Sequence, residues 1–220
     1  MANYAVHTPI MADNRFSKKY LDAGMDTTEA KYASLIEGMD KSLGDIMNFL
    51  KEKKVDRNTI IIFMSDNGEL SLTPPRGGKQ HSQNLPLKAG KGSVYEGGIR
   101  EPMIIKWPGV VQPNSTANQY VMIEDFFPTI LQMAGLKNYQ LVQSVDGKSL
   151  IPILKNANYS DSSRALIWHY PNKWIDKDGP GINYYSAIRK GNWKMIYSMR
   201  TGKKELYNLA IDIGESNDLS

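Results

Sequence analysis

The stretch Thr-Ile-Ile-Ile-Phe-Met-Ser-Asp-Asn-Gly at residues 59–68 is the most informative part of this sequence. Its first seven residues form an almost continuous apolar run, which is typical of a central strand covered on both faces of a sheet. Asp66 and Asn67 follow at the carboxyl end of that strand, where open α/β sheets place their ligands. Carboxylate and amide oxygens are the donors that calcium prefers, but an isolated Asp-Asn-Gly also fits a simple Asx turn.

The composition is that of an ordinary globular protein, and it excludes several classes of function. The 220 residues are 41% hydrophobic and 23% charged, with a net charge of +4 from scattered lysines. No arginine-rich stripe with interleaved aromatic residues is present, so binding to nucleic acid is not expected. The absence of cysteine excludes disulfides, thiolate metal sites and a cysteine nucleophile. No apolar run reaches the roughly twenty residues of a membrane span, and the amino terminus does not read as a signal peptide.

Residue periodicity predicts an α/β portion at residues 1–157. Apolar residues at steps of three and four predict a helix through residues 32–50, and Asp26 or Thr27 can cap its start. The other elements expected in this portion are a strand at residues 3–7, a strand at residues 103–107 and a helix at residues 126–134 that Asp125 would cap.

The residue pattern of the sequence changes after residue 158. Short, aromatic-rich segments separated by turns predict an antiparallel meander, with strands at residues 165–170, 185–189, 193–199 and 205–209. We therefore expect a small antiparallel β subdomain at residues 158–220, following the α/β portion.

A second informative stretch is Ala-Gly-Lys-Gly-Ser-Val-Tyr-Glu-Gly-Gly-Ile-Arg-Glu-Pro at residues 89–102, which places Lys91 between two glycines. Glycines let a backbone approach a ligand closely, and an ammonium group supplies a point charge for a tetrahedral anion. The alternative is a surface lysine in a flexible loop. Glu96 and Arg100 are expected to pair with each other and brace this loop.

Histidines provide further candidates for contact with a substrate. His7 lies in Ala-Val-His-Thr-Pro, where a lone histidine at a strand end is more often structural, although an imidazole can donate a proton near neutral pH. His169 lies in Leu-Ile-Trp-His-Tyr-Pro-Asn, where Trp168 and Tyr170 make an aromatic packing cluster a serious alternative. His81, in Lys-Gln-His-Ser-Gln-Asn, is a weaker candidate, because it lies on a predicted loop at residues 69–98 near the site and has no other signal.

These segments occur in an order that resembles the sulfatases, which belong to the alkaline-phosphatase-like superfamily and hydrolyse sulfate esters. The resemblance rests on Asp-Asn-Gly at residues 66–68, the string at residues 89–102 and Glu-Leu-Tyr-Asn-Leu at residues 205–209. It implies an α/β fold with a partial alkaline-phosphatase-like sheet and flanking helices, followed by the small antiparallel β subdomain. It also implies calcium as the cofactor, a sulfated carbohydrate or aryl sulfate as the substrate, and a periplasmic or secreted location for the complete protein.

The resemblance also implies a role for each candidate residue. Asp66 and Asn67 would ligate calcium beside the reacting sulfate. Lys91 would contact the sulfate and neutralise its developing charge, and His7 would face the sulfate and assist the leaving group, so these two are the expected catalytic residues. His169 would reach over to the substrate sugar.

The sequence departs from the sulfatase pattern where the nucleophile is concerned. Sulfatases use a formylglycine made within Cys/Ser-x-Pro-x-Arg, far upstream of the matching segments, and this chain does not contain that motif. The resemblance therefore indicates the carboxyl-terminal half or so of a sulfatase, which alone is expected to be inactive and to bind calcium weakly.

Truncation of the sheet would have a second consequence. A central strand without its neighbour exposes an apolar edge through which two copies of the chain could pair. Two other functions stay open on the residues alone. One is a non-catalytic module that binds anions or glycans, and the other is a hydrolase of phosphate esters on the same fold.

Overall fold

The structure is a computed structural model that describes residues 3–69, 84–136, 139–176 and 179–220. Within these ranges helices and short strands alternate in the first part of the chain, and a four-stranded sheet forms the last part. None of the helices described is long and apolar enough to cross a membrane. His81 lies outside the described residues.

Two helices form the amino-terminal part, α1 at Ser17–Asp22 and α2 at Thr27–Glu52. Asp26 caps α2, as predicted, because its carboxylate accepts hydrogen bonds from backbone N–H groups of the first turn. The buried positions of α2 are small, and a Cβ at Gly38 would stand 2.4 Å from the carboxylate of Asp13. The segment before α1 therefore packs closely against the middle of α2.

The strand predicted at residues 3–7 is not formed. This segment adopts a turn, in which the N–H of His7 donates to the carbonyl of Tyr4 at 3.0 Å. The prediction was wrong because short apolar segments show only a propensity for extended structure. A strand also needs a neighbour that supplies its hydrogen bonds and packing.

The first sheet consists of two antiparallel strands, β1 at Ile61–Met64 and β2 at Met103–Lys106. Both strands lie where they are predicted, but the expected cover on both faces of β1 is wrong. All four residues of β1 are partly exposed, and Ile104 of β2 is 67% exposed. An apolar run shows that its residues tolerate burial, whereas the number of neighbours depends on the rest of the sheet. In the described ranges β1 has β2 as its single neighbour.

Three short helices complete this part of the chain: α3 at Glu96–Ile99, α4 at Phe126–Met133 and α5 at Ile151–Lys155. The predicted side-chain cap of α4 by Asp125 is not formed. Instead, the buried carboxylate of Asp125 accepts hydrogen bonds from the guanidinium of Arg164 at 2.6 and 2.7 Å and from the backbone N–H groups of Met122 and Lys148. A carboxylate that is removed from water needs an opposite charge, so the ion pair of Asp125 with Arg164 outweighs a cap on α4.

The meander forms as predicted, in the order β3-β4-β5-β6. Its strands are β3 at Ala165–Tyr170, β4 at Tyr185–Lys190, β5 at Trp193–Ser198 and β6 at Lys204–Asn208. The mixed α/β class with a small antiparallel sheet at the end is thus confirmed, whereas the division at residue 157 stays a prediction. The core packs this sheet against the segment around α3, and its buried residues are Val94, Tyr95, Ala187, Ile196, Tyr207 and Leu209.

A buried ionic network ties α3 to the meander. Lys194 on β5 has no exposed side-chain surface and contacts Glu96 at 2.9 Å and Glu215 at 2.8 Å. Arg189 on β4 contacts the other carboxylate oxygen of Glu96 at 2.9 Å. The predicted pairing of Glu96 with Arg100 is therefore wrong: two cations of the neighbouring sheet enclose the buried carboxylate, and Arg100 is exposed.

Candidate functional site

A cavity of about 740 Å³ lies between the end of the β1–β2 sheet and strand β3. Its lining residues include Asp66, Asn67, Lys91 and His169, so the fold brings together four of the five residues to which the resemblance assigns a role. His7 is not among the lining residues. Its exposed imidazole contacts the neighbouring carbonyl of Thr8 at 2.7 Å. A cavity of this volume accommodates a small organic ligand.

Asp66 and Asn67 leave β1 in a turn that packs against the glycine-rich segment. The hydroxyl of Ser65 donates to the carbonyl of Asn67 at 2.9 Å and closes this turn. A Cβ at Gly68 would lie 1.9 Å from the carbonyl oxygen of Gly97, so the close approach requires glycine. The side chain of Asp66 is exposed in the cavity, where a ligand can reach it.

Glu101 also lines this end of the cavity, and sequence reasoning missed it. The last ladder pair is Met64 with Met103, so Asp66 and Glu101 both lie just beyond the strand ends at the same edge of the sheet. Its oxygen Oε1 is buried and has no hydrogen-bond partner among the described residues. Burial, and then the nearby charge of Asp66, raise the pKa of Glu101 to about 7. Only the pairing of β1 with β2 brings Glu101 to the same end of the sheet as Asp66, so the local sequence around Glu101 could not indicate it.

Lys91 is held at the cavity by its neighbours in the glycine-rich segment. Gly92 has a φ of +84°, and a Cβ there would stand 2.1 Å from the ring of Trp174. Glycine is therefore required both for the backbone conformation and for the space. The N–H of Lys91 donates to the carbonyl of Glu69 at 2.6 Å, which ties this segment to the end of β1. Lys91 is partly buried, and a charge that is partly shielded from water interacts with an anion more strongly than one in open solvent.

His169 lies on β3 and is exposed in the cavity, with its Nδ1 2.7 Å from the hydroxyl of Ser186. Trp168 packs against the core of the meander, but Tyr170 is exposed and does not join it, and both residues also line the cavity. Core packing therefore accounts for Trp168 but not for the exposed His169.

Residues 121–124 form a further wall of the cavity, which the sequence did not indicate. The next residue, Asp125, anchors this wall through its buried pair with Arg164. A Cβ at Gly147 would stand 2.1 Å from the carbonyl oxygen of Glu124, so the backbone packs tightly behind the wall. The wall is therefore held in place from the protein interior.

The donors at the end of β1 fit a hard divalent cation such as calcium. Asp66 and Glu101 supply carboxylates and Asn67 supplies an amide oxygen, which are the donor types that calcium takes. A bound cation would also compensate the buried Oε1 of Glu101, which has no hydrogen-bond partner among the described residues. The described residues contain no group of three or more acidic, histidine or cysteine side chains that could hold a metal ion. They therefore provide only part of the roughly six to eight oxygens of a calcium shell.

Family models match both halves of the chain. The model described as "Sulfatase" matches residues 1–136, and the model described as "N-sulphoglucosamine sulphohydrolase, C-terminal" matches residues 90–220. A sulfatase of Formosa agariphila is 34% identical over 98% of the chain and 40% of its own length. N-acetylgalactosamine-6-sulfatase of Canis lupus familiaris is 31% identical over 98% of the chain and 37% of its own length. The chain thus spans about two fifths of the length of these relatives.

Solved structures share the fold. The structure of a protein in complex with its substrate D-glucosamine-2-N,6-O-disulfate matches with a TM-score of 0.66 and 23% identity, covering 94% of this chain and 41% of that one. A phosphonate monoester hydrolase from Silicibacter pomeroyi matches with a TM-score of 0.62 and 23% identity, covering 83% of this chain and 35% of that one. At these identities the likeness shows the fold alone, and it confirms the predicted alkaline-phosphatase-like class.

Proposed function

Because the chain belongs to the sulfatase family, we propose that it supplies the carboxyl-terminal part of a calcium-dependent enzyme that hydrolyses sulfate esters of carbohydrates. The observation that carries this proposal is the single cavity lined by Asp66, Asn67, Lys91 and His169. The carbohydrate substrate is supported by a relative named for N-acetylgalactosamine and by a structural neighbour whose substrate is a glucosamine disulfate. We propose a periplasmic or secreted location for the same protein.

In this proposal each residue of the cavity acts on the sulfate ester by charge or by hydrogen bonding. Calcium, when bound, supplies positive charge beside the sulfate oxygens. Asp66 and Asn67 hold the cation, and the ammonium group of Lys91 stabilises the negative charge that grows on the sulfate. His169 hydrogen-bonds the sugar, because its imidazole is exposed on the strand that borders the cavity.

The remaining chemistry requires groups that the cavity does not contain. For His7 we propose protonation of the leaving alkoxide, which requires the segment around residue 7 to approach the cavity when substrate is bound. The formylglycine nucleophile is proposed to come from sequence upstream of the matching segments. The 220-residue chain alone is therefore expected to release no sulfate.

The experiment is a kinetic comparison in the protein encoded with the sequence upstream of residue 1. Lys91→Ala is expected to lower turnover of an aryl sulfate about a hundredfold or more, the typical loss for one charge-stabilising donor. Lys91→Arg should restore little, since a planar fork replaces a point charge. Lys190→Ala, at an exposed position of β4, is the matched control. Unchanged kinetics in Lys91→Ala would refute the assignment.

A non-catalytic module for binding anions or glycans is distinguished by the upstream sequence and by calorimetry. A Cys/Ser-x-Pro-x-Arg motif upstream, with calcium-dependent release of sulfate, supports the enzyme. Binding of a sulfated oligosaccharide by the protein without any turnover, and no such motif, supports the binding module. Turnover of phosphate esters in preference to sulfate esters would favour the phosphate-ester hydrolase.

A further inference from the structure

Trp174 lies in the connection between β3 and β4, and it lines the cavity beside the glycine-rich segment at residues 89–102. A Cβ on Gly92 would stand 2.1 and 2.2 Å from two atoms of its six-membered ring, so this ring lies directly against the backbone of Gly92. Lys91 is the preceding residue and lines the same cavity. The indole therefore borders the position at which Lys91 is proposed to hold the sulfate.

The aromatic side chains of this wall keep much of their surface open to the cavity. Trp174 is 40% exposed and Tyr170 is 38% exposed, although both line the cavity. Tryptophan is highly buried on average in folded proteins, so its exposure inside a cavity needs an explanation. Aromatic surface beside an ammonium group suits a ligand that has both an apolar face and an anionic group.

Trp174 is also held in place from the protein interior. The amide oxygen of the buried Asn183 accepts hydrogen bonds from the backbone N–H groups of Trp174 at 2.7 Å and Ile175 at 3.3 Å. The N–H of Val94 donates to the carbonyl of Gly181 at 3.1 Å, which ties the same connection to the glycine-rich segment. A binding residue that is fixed before the ligand arrives loses less conformational freedom on binding.

We propose that Trp174 is the platform on which the sugar ring of the sulfated substrate stacks, with its ester sulfate directed to Lys91. The proposal rests on the sulfatase function proposed above and adds a residue that recognises the sugar. One face of a pyranose ring consists mainly of C–H groups, and stacking on an indole removes apolar surface of both from water. An ester sulfate is joined to the ring through one oxygen or through one further carbon, so a ring on Trp174 presents its sulfate to the neighbouring residue.

The test compares substrates with and without a sugar ring, in the protein encoded with the sequence upstream of residue 1. N-acetylgalactosamine 6-sulfate and methyl sulfate are both sulfate esters, but only the first has a ring to stack. Trp174→Ala should lower kcat/KM for the sugar sulfate at least tenfold more than for methyl sulfate, mainly through KM. Trp174→Phe should recover most of this loss, because it keeps an aromatic face. Trp193→Ala, at an exposed position of β5 outside the lining of the cavity, is the matched control.

Saturation-transfer nuclear magnetic resonance gives a second readout that does not depend on turnover. Its ligand is N-acetylgalactosamine, which has no ester to hydrolyse. Irradiation of the aromatic protons should transfer saturation to the C–H protons of one face of the sugar. Trp174→Ala should remove this transfer, and Trp193→Ala should keep it. If Trp174→Ala does not fold, Trp174→Leu tests the same point, since it keeps an apolar contact with Gly92 but offers no aromatic face.

The alternative is that Trp174 only packs on Gly92 and stabilises the glycine-rich segment. In that case Trp174→Ala would lower the melting temperature and change kcat/KM for both sulfates by the same factor, which would overturn the proposal. Saturation transfer that survives in Trp174→Ala, or that is absent in wild type, would also overturn it. The sulfatase function is tested separately by Lys91→Ala, which should slow release of sulfate from both esters. Transfer that depends on Trp174 in a protein that releases no sulfate supports the platform and refutes the sulfatase function.

Discussion

Replacement of Lys194 by methionine tests the buried network that fixes the glycine-rich segment at residues 89–102, which contains Lys91, to the meander. The Nζ of Lys194 lies 2.9 Å from Glu96 and 2.8 Å from Glu215, and none of the three side chains is appreciably exposed. Lys194→Met keeps the length and the apolar stem of the side chain but removes its charge. Glu96 then keeps Arg189, whereas the partner that the carboxylate of Glu215 keeps among the described residues is the backbone N–H of Glu96.

The expected loss follows from these distances. At an effective dielectric constant of about 20, two unit charges at such a separation attract by about 6 kcal/mol, which is opposed by a desolvation penalty of several kcal/mol per ion. Removal of one partner of a buried pair typically costs about 3–5 kcal/mol, because the other charge stays buried. A domain of this size is stable by roughly 5–15 kcal/mol, so the variant should be strongly destabilised.

The assay is urea unfolding followed by circular dichroism at pH 7, with Lys190→Met, at an exposed position of β4, as the matched control. The double variant Lys194→Met/Glu215→Gln should recover part of the loss, because the unpaired carboxylate is gone. Burial already raises the pKa of Glu215, and without Lys194 that pKa rises further. A carboxyl whose folded-state pKa is raised loses stability as pH rises, so Lys194→Met should approach wild type as pH falls towards 5.

Three results would refute this reasoning about Lys194. One is a loss below about 1 kcal/mol, which is the range of an exposed pair. Another is a double variant in which the separate losses simply add, since a shared network should not be additive. The third is a loss that does not change between pH 8 and pH 5. If Lys194→Met does not fold, Glu215→Gln alone tests the same pair.

Three further predictions concern the cavity wall, the stability of the protein at low pH and the first sheet. Arg164→Met should lower the free energy of unfolding by about 3–5 kcal/mol, because it leaves the buried carboxylate of Asp125 without its cation; a loss under about 1 kcal/mol in urea unfolding would contradict this. A hydrogen bond from Lys148 is the main cause that lowers the pKa of Asp161 to about 2, so its stabilisation is present above about pH 4 and lost as pH falls towards 2. The stability difference between Asp161→Asn and wild type should therefore shrink from pH 5 to pH 2.5, and a constant difference would contradict it. We propose that the exposed β1–β2 sheet pairs with a second copy, so sedimentation should show a dimer that Ile104→Lys removes; a wild-type monomer at every concentration counts against it.

Helix α2, strands β1 and β2 and the meander could be predicted because their signals are local. A helix shows its apolar period and its cap within one segment, and Asp26 lies directly before the first turn of α2. Likewise, turns between short aromatic strands predict a meander whose neighbours are consecutive in sequence. The segment at residues 3–7 failed because an extended preference needs a neighbouring strand to become a strand.

The candidate site could be predicted in part. Asp66 and Asn67 follow an apolar run, and Lys91 lies in a distinctive glycine-rich string. Their residue types and order alone therefore indicated that the first two bind a cation and that Lys91 binds an anion. The resemblance implied that these residues and His169 meet at one site, and the structure brings them to one cavity, but it leaves His7, which was expected at the same site, outside the lining. Sharing a cavity depends on how the first sheet and the meander are placed against each other.

The choice of charged partners depended entirely on tertiary contacts. Asp125 takes Arg164 instead of a helix terminus, and Glu96 takes cations from the meander instead of Arg100. Each choice joins residues 39 or more positions apart, and in each one a carboxylate loses water when the elements pack. Desolvation makes the unpaired state of a buried charge costly, so long-range packing selects the partner and local sequence cannot.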